Sequence, residues 1–490
     1  MTEPTPVSSA PPAAPPQAED RADDRANAYE VRQSRGRAIA TTAVAAAGLV
    51  LSAVGGTVAE APTLWGVVPI ALYAVLCLLG MDLVVATVVS LIGGVLIARR
   101  TPTEFADLLG RSMGDLVTTI GVIIMLGAAV GEILRVTGVA HTIVRWVMRI
   151  AGDRSRWAVQ LGIMLSCLVL VTSLGTLAGA LAIAAPILLP IAARVGCTRA
   201  ATAAMMFVGG CAGLALAPFA GSNVAIMKAA EVDYLTYLLY GAGPLAVLSL
   251  VAAMVIVPWI QRRTARTGDF YEDAELAGET QDVPRHAGRA TAVFLVLLVT
   301  TVVYATVVKA GTSFPLLALP LLGIATAAAA RLGVAETTRH LYRGASRLVS
   351  IFLLFWLLAA LFLVIDQLKP YDVLLEQFGP ALQNSSGLGF AVAIAMLGWV
   401  GVPGATAAQV VLLDQVFGGI ATTLGLGAGA WVIVLLWASK ADTYGPFPNA
   451  NMVGAMGLAR STDLRSLLLT GWLVLIPACL MYVLLLWVLT

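Results

Sequence analysis

Apolar runs alternate with short polar punctuation along nearly the whole chain. After a tail at residues 1–36 that is rich in Pro, Ala and charge, apolar stretches lie at about 38–58, 66–98, 116–136, 157–194, 200–217 and 235–259. A second series follows at about 290–310, 314–331, 348–368, 388–424, 427–444 and 465–489. A hydrocarbon core ~30 Å thick takes about 20 apolar residues as one helix, so the single-length runs predict transmembrane helices. The longer runs exceed one crossing and must be broken. Gly80-Met81-Asp82 divides 66–98 into two shorter helices. Residues 101–115 mix charged with apolar positions and predict an interfacial helix.

The two series share landmarks. Arg111–Val117 (RSMGDLV) is similar to Arg343–Val349 (RGASRLV), and Pro218–Asn223 (PFAGSN) to Pro446–Asn451 (PFPNAN). Gly175 stands 43 residues before Pro218, and Gly404 stands 42 before Pro446. Three landmarks in one order at nearly one spacing predict an internal duplication. On this reading a disordered tail (1–36) and a first transmembrane helix (37–60) precede repeat one (61–260), a linker (261–289) and repeat two (290–490). Arg32, Arg35 and Arg37 beside the first apolar run place the N-terminus in the cytoplasm, and Arg262, Arg263 and Arg266 do the same for the linker. Repeat one then starts outside and ends inside, whereas repeat two starts inside. Arg99, Arg100 and Arg111 fall on the outer side and run against the rule. The expected architecture is an all-α polytopic protein of the plasma (inner) membrane, with two inverted-topology repeats, about 11 transmembrane helices and two re-entrant hairpins.

Composition narrows the class. Of 490 residues 59% are hydrophobic and 12% charged, against about 25% charged in a soluble domain. A net charge of +2 gives no nucleic-acid footprint. Cys77, Cys167, Cys197, Cys211 and Cys479 form no CxxC pair, and His141, His286 and His340 lie far apart, so no metal site is expected. No nucleophile–base pair or phosphate loop is present. The chain is not expected to be an enzyme, and it has no candidate catalytic residue or cofactor.

Two kinds of interruption recur, once per repeat. The first is a turn within a long apolar run, Thr172–Thr176 and its counterpart Val402–Thr406. The second is a Pro-containing break, Ala217–Asn223 and its counterpart Gly445–Asn451. Pro removes a backbone donor, and irregular backbone at membrane depth persists where it lines a cavity or is buried in protein. Half-helix N-termini suit a carboxylate, whereas exposed carbonyls with Ser or Asn oxygens suit Na⁺. The candidate substrate-binding residues are therefore Ser173, Gly175, Thr176, Ser222, Asn223, Gly404, Thr406, Asn449 and Asn451. An ionisable residue at membrane depth is costly and marks function, which singles out Asp414, Lys440 and Asp442 for ion coupling.

The hairpin-tip pair and the Asn-bearing broken helices resemble the ion transporter superfamily, over about residues 60–490. The stretch Gly121–Arg156, with GEILRVTGVAHTIVRWV, looks most like gluconate permeases. The resemblance implies a cation-coupled symporter for a small organic anion such as gluconate or a di- or tricarboxylate. It further implies H⁺ (or Na⁺) as the coupling ion, an elevator-like motion and a homodimer in the bilayer. Two departures stand out: the tips lack the Asn of divalent anion–sodium symporters, and Ala217–Ser222 lacks the His of gluconate permeases. The alternative is a sodium/proton antiporter of similar architecture, for which Na⁺ and H⁺ would exchange without any organic substrate.

Overall fold

The computed structural model describes residues 35–79, 81–152, 155–272, 283–308, 310, 313–370, 373, 386–400 and 406–490. Helix α1 (Arg35–Val58) opens them. The next apolar run is divided as expected: α2 (Val68–Leu78) gives way to α3 (Leu83–Ile97), and the Asp82 carboxylate starts α3 by accepting the Val84 and Val85 N–H groups. A Thr101–Glu104 capping box starts the amphipathic α4 (Pro102–Ser112). Helices α5 (Leu116–Val136) and α6 (Val139–Ala151) follow. α7 (Arg156–Leu174) and α8 (Leu177–Arg194) form a hairpin that turns at Gly175, where φ is 68°, a conformation glycine adopts without a steric penalty. α9 (Arg199–Leu216) stops before Pro218, and the chain restarts as α10 (Gly221–Ala229). α11 (Tyr234–Ala265) contains a π turn at Leu238–Ala242.

The second half comprises α12 (Ala287–Val307), α13 (Pro315–Ala329), α14 (Val334–Ser346), α15 (Val349–Leu368) and α16 (Gly387–Leu397). It ends with α17 (Thr406–Thr423), α18 (Ala428–Tyr444), α19 (Ala450–Leu458) and α20 (Leu464–Leu489). Among the described residues nine helical segments are long and apolar enough to cross a membrane, and further apolar helices are shorter. The chain is an all-helical, multi-pass membrane protein. Both arms of the α7–α8 hairpin have the length of a crossing.

Packing contacts come in matched pairs across the two halves. α3 packs on α15 as α13 packs on α5, α4 on α15 as α14 on α5, and α10 on α17 as α19 on α8. α5 and α15 also pack on each other. Close approach fixes the centre of the first half: a Cβ at Gly209 or Gly213 of α9 would overlap the Met164 or Leu168 carbonyl of α7. Small residues one turn apart let membrane helices touch backbone to backbone. At the end of α5 the buried Glu132 carboxylate accepts Arg135 Nε (3.0 Å) and Nη2 (2.8 Å) and Arg347 Nη1 (3.2 Å), with His340 Nδ1 at 3.5 Å. This cluster holds α14 to α5.

The linker is not wholly a loop. Its first residues complete α11, and Asp269–Tyr271 then return onto α9. Arg199 N–H donates to Asp269 O (2.9 Å), Ala200 N–H donates to the Asp269 carboxylate (3.0 Å), and Tyr271 OH donates to Ala459 O (3.0 Å) at the end of α19. Burial pushes the Asp269 carboxyl up from its ordinary range, opposed by the Ala200 N–H and by Arg199. A group whose docked pKa is raised binds protons on docking, so the strap holds less tightly as pH rises through that pKa.

The α7–α9 contact gives a direct test of packing. Gly213→Val forces a branched side chain against the Leu168 backbone, where overpacking costs about 1–3 kcal/mol. Thermal unfolding in detergent should show a lower midpoint for this variant, whereas Gly288→Ala, with open space around its Cβ, should match the parent.

Candidate functional site

Pro218 cannot continue α9, so the last carbonyls of that helix lose their intrahelical partners. Side chains replace them. Asn223 Nδ2 donates to Leu214 O (2.8 Å), Ala215 O (3.0 Å) and Ala217 O (2.8 Å). Tyr237 OH donates to Ala215 O (2.7 Å), Tyr234 OH to Leu216 O, and Thr172 Oγ1 to Gly213 O (3.0 Å). The amide orientation of Asn223 follows from these contacts, because the opposite one would set Oδ1 against three carbonyl oxygens.

The Asn223 oxygen therefore faces away from α9. There it receives Ser222 Oγ at 3.3 Å and the Lys440 ammonium of α18 at 3.5 Å. Asn223 is 0% exposed and Lys440 1%. An ammonium taken out of water needs oxygen partners, and at membrane depth it marks function by default. The first break lies against the α7–α8 turn, α5 and α17. A Cβ on Gly175 would lie 3.6 Å from Ala220 N, and one on Gly221 would overlap Ile124 of α5 and lie 3.7 Å from Ala407 of α17.

The other sequence candidates scatter. Ser173 Oγ turns back to Val169 O (2.8 Å), and Thr176 stands at the N-cap of α8 without a capping hydrogen bond. Asn449 is the N-cap of α19, accepting Met452 N–H (2.9 Å) and donating to Thr443 O (3.4 Å). Asn451 and Thr406 are half-buried near the starts of α19 and α17. Gly404 and the Asp442 side chain lie outside the described residues. Asp414 Oδ1 accepts Trp431 Nε1–H (2.9 Å), with Glu231 and Lys228 as charged neighbours. Trp431 precedes Lys440 by nine residues, about 13 Å along α18, so Asp414 belongs to a separate place.

Sequence reasoning missed Thr172, Tyr234 and Tyr237, although a Tyr in an apolar run must find a partner for its hydroxyl. It also missed Gln409, whose Nε2 donates to Gly398 O while its buried Oε1 has no partner among the described residues. Among those residues no group of three or more His, Cys, Asp or Glu is arranged to hold a metal ion.

These elements define a polytopic membrane protein with the fold of a transporter. That fold is similar to the crystal structure of the YdaH transporter of Alcanivorax borkumensis, with a TM-score of 0.52 and 16% identity over 92% of this chain and 98% of that one. Residues 23–260 match the Na⁺/H⁺ antiporter family. No curated protein matches the chain.

The family match corrects the functional expectation. The stretch Gly121–Arg156, read above as similar to gluconate permeases, lies inside the matched region, as do Thr172–Thr176 and Ser222–Asn223. Symport of gluconate or a di- or tricarboxylate is set aside. The local chemistry agrees: the Asn223 donors are consumed by α9 carbonyls, and the group left over is an acceptor that already faces a cation.

Asn223 therefore also has a structural share. Asn223→Ala withdraws the shortest bonds to Leu214 O and Ala217 O, and a buried group left unsatisfied costs about 1–3 kcal/mol. Tyr237→Phe leaves Ala215 O its Asn223 partner and should cost less than ~1.5 kcal/mol. Unfolding midpoints of the two variants should rank in that order.

Proposed function

We propose that the protein is a cation/proton antiporter that exchanges Na⁺ for H⁺ at the first helix break. The observation that carries this reading is the buried Asn223 oxygen, held in one orientation by α9 and facing the Lys440 ammonium at 3.5 Å. A fixed oxygen acceptor paired with a charged amine forms a position suited to a cation, and the match of residues 23–260 to the Na⁺/H⁺ antiporter family supports the same ion pair.

The matched contacts support an origin in two repeats. Exchange of each first-half helix for its counterpart turns α3–α15 into α13–α5 and α10–α17 into α19–α8, as a pseudo-two-fold would require. Inverted repeats with a site at their interface are a recurring transporter design. In this arrangement the N-terminus and the linker are cytoplasmic, and reporter fusions at Gly268 and Thr490 should report opposite sides of the membrane.

Purified protein in liposomes, loaded with a pH dye, tests the function. An imposed Na⁺ gradient should drive proton counterflow with no organic anion present. Gluconate or citrate gradients should drive none. Absence of a Na⁺-dependent pH change in protein shown to be folded and inserted would end the antiport reading.

A further inference from the structure

We propose that the exposed face of α6 docks an anionic phospholipid of the cytoplasmic leaflet, with the headgroup held by Arg145 and Arg149. The inference goes beyond the antiport reading: it shares the membrane orientation proposed above and is indifferent to the transported ion.

The connections of α6 keep it at the membrane boundary. The span α5 ends at Val136, and only Thr137 and Gly138 separate it from α6. Gly138 takes φ 72°, so the chain turns sharply there. The next helix of crossing length, α7, begins at Arg156. One face of α6 is buried through Val139, Ala140, Ile143, Val144 and Met148. The helix packs on α7, α8 and α12, and a Cβ on Gly162 of α7 would overlap Ala151 and Met148.

The opposite face is exposed and pairs charge with apolar surface. Arg145 and Trp146 stand one turn from Arg149 and Ile150, and all four are exposed. Ile150 is 87% exposed. An aliphatic side chain left so bare beside two guanidinium groups suits headgroup depth, where arginines lie among phosphates and their apolar neighbours reach the acyl boundary. Trp146 and the exposed Trp157 at the start of α7 add the amphipathic rings that collect at the same depth.

Charge selects the lipid. Residues 139–157 hold Arg145, Arg149, Arg154 and Arg156 against one acid, Asp153. Among the described residues neither Arg145 nor Arg149 forms an ion pair with a carboxylate. Arg145 Nη2 instead donates to His141 Nε2 at 2.8 Å. Burial, and then the Arg145 charge, hold the His141 imidazole below its ordinary pKa, so it stays an acceptor and steadies the guanidinium. Arg145 and Arg149 are about 6 Å apart along the axis, close enough for both forks to reach one phosphate diester. The amphipathic α4, on the other membrane face, sets Glu104 and Asp107 beside Arg111 and does not offer this cluster.

Thermal unfolding of the full-length protein in a nonionic detergent, titrated with phosphatidylglycerol, phosphatidylcholine or inorganic phosphate, is the test. A ligand of the folded state raises the midpoint. Phosphatidylglycerol should raise it for the parent, whereas phosphatidylcholine and inorganic phosphate should not. Without lipid, Arg145→Gln, Arg149→Gln and the double variant should unfold close to the parent. Each single variant should raise the phosphatidylglycerol concentration that gives half the shift by ~fivefold, and the double variant by more. Arg111→Gln should respond as the parent does. A parental response in the double variant, or an equal loss in Arg111→Gln, overturns the inference. So does an equal shift by phosphatidylcholine, which would make the effect that of any lipid, or by inorganic phosphate, which would make it a site for a soluble anion. If the double variant is not recovered folded, the single variants decide by the same criterion. Nothing in this measurement involves transport, so its failure leaves the antiport reading standing, and absence of Na⁺-driven proton flux in liposomes leaves the lipid site standing.

Discussion

Pro218 ends a helix in the interior of a membrane protein, and the carbonyls it strands have no water to turn to. Every unpaired carbonyl in such a place costs free energy, so the sequence must supply donors from elsewhere. Asn223 supplies two N–H groups to three oxygens, and Tyr234, Tyr237 and Thr172 supply the rest. Because the amide is spent on the helix end, its oxygen is delivered to the opposite side with no freedom to rotate. The geometry of the site is a by-product of repairing the break.

That repair needs a stiff surround. Gly209 and Gly213 let α9 lie directly on α7, and Gly175 lets the hairpin turn reach Ala220. Gly221 admits Ile124 from α5 at the start of α10. α5 in turn is held to α14 through Glu132, a buried carboxylate shared by Arg135, Arg347 and His340. The chain from Arg347 through α5 to Gly221 joins a charged cluster at the end of one helix to the half-helix that carries Asn223. Its links are a bonded carboxylate at one end and the Ile124 side chain packed over Gly221 at the other.

Much of this was legible before any coordinates. The starts of α3, α10 and α19 fall where apolar run length, Pro and Gly predict them, since those signals are local. Asn223 was legible as a candidate, but its division of labour was not: the partners of its nitrogen are carbonyls at the end of the helix before it, an end which Tyr residues downstream share. Asn449 had the same appearance and proved to be a helix cap, because whether a side chain turns to its own N-terminus depends on φ and ψ that composition does not encode. Asp414 drew suspicion as an isolated acid, and its partner Trp431 sits on another helix. The functional class was misread because the short motif resemblance in Gly121–Arg156 was followed while the donor and acceptor balance at the break was out of sight, and the match of residues 23–260 to the Na⁺/H⁺ antiporter family overturns it.

The strap at Asp269–Tyr271 changes where the first half ends. α9 is about 27 Å long; at one end its N–H groups donate to Thr198 and Asp269, and at the other Asn223 donates to its last carbonyls. A charge-rich linker ordinarily counts as a seam at which a polypeptide can be divided. Here the seam lies downstream of Tyr271, since the residues up to that point hold one end of the helix whose other end forms the candidate site. Two co-expressed half-proteins divided at Gln261 would put the Asp269 acceptors of the Arg199 and Ala200 N–H groups, and the tie to α19, on the other polypeptide, whereas halves divided beyond Tyr271 carry a complete strut.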